Sequence, residues 1–342
     1  MSRNKKAYKI GVVGAGSWGT ALARLLAVNG YPVELWSYEE EIADQINRDR
    51  ENKNFLPGVP LPVSIEPTTR LSAVLDQKDL LVLAIPSHFF RNVLNQMMAF
   101  LSQIKKDCLW ITATKGIEND TLLTMSGVLK ELLPPEYHPF IGCLSGPTFA
   151  KEVSRDLPTA VSLASGVEKT ALTAQRFLSN TTFRVYTNLD LLGVELGGAL
   201  KNVIALAAGI SDGLQLGHNA RAALITRGLA EICRLGEKMG ASRPTFFGLA
   251  GIGDLVLTCT GDLSRNRTVG LRLGQGEKLA AILSTMTMVA EGIKTTRAAH
   301  QLAIREKIEM PIVSQIYGIL YEGWDPRQAV KDLMTRDLKA EG

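Results

Sequence analysis

The sequence predicts an α/β fold, an N-terminal doubly wound parallel sheet followed by an all-helical C-terminal domain. Three observations carry that expectation. Short apolar runs bounded by turn residues recur through the first half, segments with helical spacing separate most of them, and the strand signal fades after Asn188. Runs that are apolar along their whole length suit strands buried on both faces, as in a parallel sheet covered by helices.

The run "KIGVVG" at 9–14 predicts the first strand, and "TALARLLAVNG" the helix after it, with Leu22, Leu25 and Leu26 on one face and Gly30 as a stop. "PVELW" at 32–36, "DLLVLAIP" at 79–86, "CLWITATKG" at 108–116 and "FIGCLSGP" at 140–147 predict four further strands. "PTAVSLAS" at 158–165 and "FRVYTN" at 183–188 predict two more. Beyond them helices are predicted at 190–212, 218–239, 276–283, 291–305, 311–321 and 326–333. The expected domains are therefore residues 1–188 and 189–342, with no Pro/Gly/Ser linker between them. Size agrees, since 342 residues exceed the roughly 250–300 at which one core usually stops growing.

A composition of 46% hydrophobic and 21% charged residues places the chain among globular proteins. The net charge of +4 is spread without a block of five like charges, which argues against a nucleic-acid or membrane-surface partner and leaves room for a local anion pocket. The four cysteines form no C-x-x-C pair and the four histidines no metal-binding pattern, so reduced thiols and no metal are expected. Arg3, Lys5 and Lys6 precede an apolar run that Gly11, Gly14 and Gly16 interrupt, unlike a signal peptide. No stretch reaches the ~20 apolar residues of a membrane span, so a cytoplasmic protein is expected.

"GAGSWG" at 14–19 is G-x-G-x-x-G directly after a predicted strand and opening a predicted helix, the context of a Rossmann dinucleotide site. Gly14 permits the tight turn, Gly16 lets the backbone approach a pyrophosphate, and Gly19 lets helix and strand pack closely. A strictly NAD-binding domain places an acid at the end of the second strand. Here "LWSYEEE" puts Ser37 and Tyr38 at the selective positions, so NADP is admissible; without an arginine there, it is not demanded.

"LGGALKNVIALAAGI" at 196–210 is an apolar run carrying Lys201, whose ammonium must reach water, find an acid or lose its proton readily. Strand ends deliver "AIPSH", "TKG" and "SGPTFAKE", where Lys115 would be a second positive charge at the cleft. The segment 248–270 reads as a loop with five glycines, and its "SRNR" supplies Ser264, Arg265 and Asn266, a donor set suited to phosphate.

Together "GAGSWGTALA", "LWSYEEE", "TKGIE", "SGPTFAKE", "ELGGALKNVIALAAGISDGL", "GLAGIGDLVLTCTGDLSRNR" and "VAEGIKT" resemble bacterial NAD(P)-dependent glycerol-3-phosphate dehydrogenases, in order from about residue 8 to about 335. The resemblance implies a 6-phosphogluconate-dehydrogenase-like fold and a homodimer. It implies interconversion of sn-glycerol 3-phosphate and dihydroxyacetone phosphate, mainly as reduction, supplying phospholipid synthesis. It makes Lys201 the general acid/base, Asp254 a substrate-site acid beside it, and Lys115 the junction of cofactor and substrate. Gly146 and Thr148 fall to substrate, and Ala150 to cofactor. Ser264, Arg265 and Asn266 fall to glycerol phosphate, with Arg265 also near the cofactor. Ser17, Trp18, Val289 and Glu291 line the dinucleotide. Many relatives carry Arg or His where this chain has Tyr38, and the absence of that basic grip on a 2′-phosphate weakens the preference for NADP; the cofactor reads as NADP or NAD with only a slight lean to NADP. Burial and the nearby Lys115 or Arg265 would lower the Lys201 pKa, and Asp254 would oppose them. The competing readings are a two-domain dehydrogenase of a β-hydroxy or keto acid, which would not need "SRNR", and a non-catalytic NAD(P)H-sensing protein.

Overall fold

In the computed structural model, residues 8–286, 290–338 and 340 are described. The chain forms two compact units, Met1–Lys115 with Leu123–Glu195, and Gly116–Leu122 with Leu196–Gly342.

The first unit is built on one eight-stranded sheet of β1 (Ile10–Val13), β2 (Val33–Trp36), β3 (Ile65–Thr68), β4 (Leu80–Leu83), β5 (Leu109–Thr112), β6 (Ile141–Ser145), β7 (Thr159–Ala164) and β8 (Phe183–Asn188). Their spatial order is β3-β2-β1-β4-β5-β6-β7-β8, parallel throughout except at the β6–β7 pair. The first six strands thus have the doubly wound order of a dinucleotide-binding domain. Strands β1, β4 and β5 are buried at every residue, as their unbroken apolar runs require. The helix Ser17–Val28 buries Leu22, Leu25 and Leu26 in the core that Ile10, Val12, Val33 and Leu35 share. Glu34 points out of the apolar pattern of β2 because the buried Lys78 ammonium donates to its carboxylate at 2.6 Å.

Strand β3 was not expected from the sequence. "IEPT" carries a proline, which cannot donate to a ladder, and it is accommodated because β3 pairs only with β2 at the sheet edge.

In the second unit the helix Leu191–Gly213, whose first residues belong to the first unit, is crossed closely by Arg265–Gly274. Glycines make the approach possible. A β-carbon at Gly209 would stand 2.1 Å from the Arg267 carbonyl oxygen, and one at Gly270 would stand 2.1 Å from that of Leu206. The expectation of a glycine-rich loop over 248–270 is corrected by the structure. This segment is largely helical, with a wide π turn at Leu249–Gly253, the helix Asp254–Thr260 and the start of Arg265–Gly274. Gly251, like Gly270, serves packing: a β-carbon at Gly251 would meet the Phe246 carbonyl oxygen at 2.0 Å. One expected helix is also shorter, beginning only at Leu279 after Gly276 turns the chain at φ +93°, whereas the helix expected at 311–321 is present as Pro311–Tyr317 and widens to a π turn over Gly318–Glu322.

Among single helices of the described residues, Leu191–Gly213 alone is long and apolar enough to cross a membrane, but 94% of its most apolar window is buried inside the protein. It is a core helix.

Glu231, 3% exposed, lies on the helix Gly217–Lys238 and accepts the backbone N–H of Ile312 at 2.8 Å and of Val313 at 3.3 Å, at the start of Pro311–Tyr317. Burial pushes its carboxyl up to about 7, against the pull of the two N–H bonds. The folded state therefore holds this proton where the unfolded chain, titrating near ~4.3, has lost it, so stability should fall as pH rises between those values. In urea unfolding at pH 5 and pH 7.5, Glu231→Gln should remove a share of that fall, up to about 3 kcal/mol. An identical pH dependence in both proteins would refute the linkage.

Candidate active site

The turn after β1 assigns each glycine a different geometry. Gly14 adopts φ +114°, donates its N–H to the Trp36 carbonyl at 3.1 Å, and has the Ala84 carbonyl oxygen 2.5 Å from where a β-carbon would sit. A β-carbon at Gly19 would lie 1.8 Å from the Gly14 carbonyl oxygen. At Gly16 nothing lies within 4 Å of that position. Gly16 is also the N-cap of Ser17–Val28, a helix with no side-chain cap bond and no acid in its first turn. Open space in front of uncapped N–H groups fits a pyrophosphate.

Ser17 donates its hydroxyl to the Phe55 carbonyl at 2.6 Å, and Trp18 packs half-buried against the core. Fully buried Asn52 holds the turn from behind, donating to the Ala15 carbonyl at 2.8 Å and to the Thr20 hydroxyl at 2.9 Å. At the end of β2, Ser37 is buried whereas Tyr38 is 78% exposed.

Lys115 follows β5, and its ammonium donates to the Gly146 carbonyl at 3.1 Å and reaches the Thr148 hydroxyl at 3.4 Å. The Thr148 hydroxyl donates to the same carbonyl at 3.1 Å. Gly146, at φ +147°, would place a β-carbon 2.9 Å from the Val161 α-carbon, so the turn after β6 requires glycine. Ala150 opens the short helix Ala150–Val153 immediately beyond.

In the second unit Lys201 does not snorkel to water. It is 5% exposed, and its ammonium donates to the carboxylate of Asp254, which has no exposure at all, and to the Thr258 hydroxyl at 2.8 Å. Asp254 and Thr258 lie one turn apart on Asp254–Thr260, and Thr258 gives its own proton to the Asp254 backbone carbonyl at 2.7 Å. The Thr258 oxygen is thereby turned to accept from the lysine. Neighbouring Cys259 is no nucleophile, because burial pushes its thiol up to about 12.

Ser264 caps Arg265–Gly274, its hydroxyl accepting the Arg267 N–H at 3.3 Å. Arg267 is committed to Asp212 at 2.8 Å and Asp262 at 3.0 Å. Arg265, the exposed first residue of the helix, has no ion pair among the described residues. Partial desolvation lowers its pKa and Glu291 opposes that, but a guanidinium stays charged throughout the working range. Asn266 is buried, donating to the Asn202 side-chain oxygen at 2.9 Å and accepting the Gly292 N–H at 2.9 Å, next to Glu291 at the start of Glu291–Glu306. Val289 lies outside the described residues. Among the described residues no three His, Cys, Asp or Glu side chains are grouped to hold a metal ion.

Two family models cover most of the chain: NAD-dependent glycerol-3-phosphate dehydrogenase N-terminus over residues 9–171, and the C-terminus of the same enzyme over residues 190–331. The chain belongs to that family. A glycerol-3-phosphate dehydrogenase, NAD(P)+, of Syntrophobacter fumaroxidans is 57% identical over 97% of both chains. One of Geobacter sulfurreducens is 57% identical over 97% of this chain and 98% of its own. The crystal structure of the Coxiella burnetii glycerol-3-phosphate dehydrogenase superposes with a TM-score of 0.89 at 42% identity, covering 96% of this chain and 99% of that one.

Within the family frame, two residues with clear geometry escaped the sequence reading. Thr258 carries no motif of its own, and only its spacing of four from Asp254 on a helix could have marked it. Asn52 sits in a polar stretch, "RENKNF", without periodicity, so nothing in the sequence marked it.

Gly16→Val should fill the open face of the turn and weaken NADPH binding by at least about 100-fold, steric exclusion of the pyrophosphate being the cause. Isothermal titration of the folded variant checks this, and an unchanged affinity would contradict the assignment.

Proposed function

We propose that this protein interconverts sn-glycerol 3-phosphate and dihydroxyacetone phosphate with NAD(P), in the cytoplasm and as a homodimer, supplying glycerol 3-phosphate for phospholipid synthesis. Family membership supports the activity, and the buried Lys201–Asp254–Thr258 cluster is the observation that carries the chemistry. Residues 1–188 serve the dinucleotide and residues 189–342 the substrate and proton transfer.

A nicotinamide dinucleotide, when bound, would supply the hydride to the ketone carbon in reduction or accept it from the alcohol in oxidation. Negative charge then builds on the carbonyl oxygen, and Lys201 donates a proton to it in reduction and accepts one in oxidation. Asp254 and Thr258 hold the ammonium in a fixed position, so little reorganisation is needed at the moment of transfer. Lys115, held by Gly146 and Thr148, adds positive charge at the substrate carbonyl. Arg265, with Ser264 and the remaining amide N–H of Asn266, takes the phosphate through charge-assisted bonds. Gly14, Gly16, Gly19, Ser17 and Trp18 hold the pyrophosphate side of the dinucleotide. Tyr38, Ala150 and Glu291 would line the rest of it. Arg265, without an ion pair among the described residues while Arg267 is doubly committed, favours a phosphorylated substrate over a keto acid.

Lys201→Ala should lower kcat by at least about 100-fold in dihydroxyacetone phosphate reduction, the usual scale for losing a general acid, with NADPH binding retained. The folded variant should also be less stable by about 3–5 kcal/mol, because Asp254 is left as a buried unpaired charge. Near-normal kcat would remove the lysine from the reaction. Arg265→Ala should raise the KM for dihydroxyacetone phosphate by about 10- to 150-fold, the worth of a hydrogen-bonded charge, while the weak activity on dihydroxyacetone stays as it was. Equal losses on both substrates would place Arg265 in the fold or the cofactor site instead.

A further inference from the structure

An open recess of about 430 Å³ lies beside the carboxyl end of β2, lined by Trp36, Tyr38, Arg70, Ser72, Gln96 and Phe100 with their immediate neighbours. The carboxyl end of this strand is where an adenosine ribose sits in a doubly wound domain, and a basic residue nearby is what accommodates a 2′-phosphate. Tyr38, at the end of the strand, offers an exposed ring and a hydroxyl but no charge.

The charge comes from the next strand. Arg70 is the only charged side chain in the lining, and no carboxylate faces the recess. Its guanidinium makes no hydrogen bond or ion pair among the described residues, although its side chain is exposed. Glu39, Glu40 and Glu41 follow Tyr38 in the chain, but none of them lines the recess; Glu40 and Glu41 open the helix Glu40–Asp49 and Glu39 caps it. The backbone that presents Arg70 is fixed on both sides. The Trp36 indole N–H donates to the Thr69 carbonyl at 2.9 Å, and the Arg70 N–H donates to the Thr68 hydroxyl at 3.1 Å. Edge strand β3, in register with β2 at Trp36 and Thr68, thus delivers the arginine to the place where β2 ends.

We propose that Arg70 is a specificity-determining residue that binds the 2′-phosphate of NADP from the β3 side of the recess, giving this chain a preference for NADP over NAD without a basic residue at position 38. The proposal rests on the dinucleotide reading of the glycine turn. A guanidinium can take two phosphate oxygens at once, and with one side of it open to solvent the effect should sit at the low end of charge-assisted bonds.

The test is isothermal titration of the full-length protein with NADPH and with NADH at low and high salt. The wild type should bind NADPH more tightly, and the preference should narrow as salt screens the contact. Arg70→Ala should weaken NADPH binding about 10-fold while NADH changes by less than about twofold, and Arg70→Lys should recover part of the difference. Adenosine 2′,5′-bisphosphate against adenosine 5′-monophosphate should show the same split, which isolates the recess from the nicotinamide end. If Arg70→Ala leaves both affinities unchanged, or lowers both alike, the proposal fails while the dinucleotide reading stands. If the wild type binds neither dinucleotide, the dinucleotide reading fails and the proposal falls with it.

Discussion

An ammonium in the middle of an apolar helix is tolerated only when its charge is answered on the spot, and in this protein Asp254 and Thr258 answer that of Lys201. Removing either partner of such a buried pair leaves an uncompensated charge, which costs several kcal/mol, whereas an apolar replacement of both is often nearly neutral. The pair is therefore poorly explained as a stabilising device. On the proposed function, it would provide a proton donor of fixed position at a site only 5% exposed, and close helix packing holds the pair in place. Gly197 allows the Ala250 carbonyl to come within 2.6 Å of where a β-carbon would be, and Gly209 and Gly270 bring Arg265–Gly274 against the same helix. Gly251 and Gly270, which look like loop formers in the sequence, each face the backbone of another helix.

The glycine turn of the first unit follows the same economy by different means. Two of its three glycines are fixed by the protein's own backbone, and the third, Gly16, faces open space. A residue kept small with nothing to clash against makes sense when the missing neighbour is a ligand. Asn52 closes the back of the turn by bonding to Ala15 and Thr20, which leaves the uncapped start of the helix as the free side.

Much of this could be read before any coordinates. "GAGSWG" is informative because of the strand before it and the helix after it, and Lys201 stands out because its neighbours are apolar; both readings depend on local pattern alone. What could not be read depends on partners far apart in the chain. The acceptor of Lys201 at Thr258 lies 57 residues away. Strand β3 is hidden because its burial is partial and Pro67 breaks the usual signal, and the edge position that makes the proline harmless is a property of the sheet. The helices within 248–270 were masked by glycines whose packing role a single sequence does not reveal: the close carbonyls that Gly251 and Gly270 face belong to other elements. Asn266 shows the reverse, a polar residue read as a ligand contact whose side chain is largely engaged in joining Asn202 to Gly292.

The most direct test of the account is chemical rescue of Lys201→Ala by small alkylamines. If the lysine acts as the proton donor and acceptor, methylamine or ethylamine diffusing into the cavity beside Asp254 should restore dihydroxyacetone phosphate reduction in a saturable manner, with a rate that depends on the amine's pKa, while the wild type is unaffected. A variant that binds NADPH and substrate, remains folded, and gains nothing from any amine that fits the cavity would contradict the role of Lys201 in proton transfer.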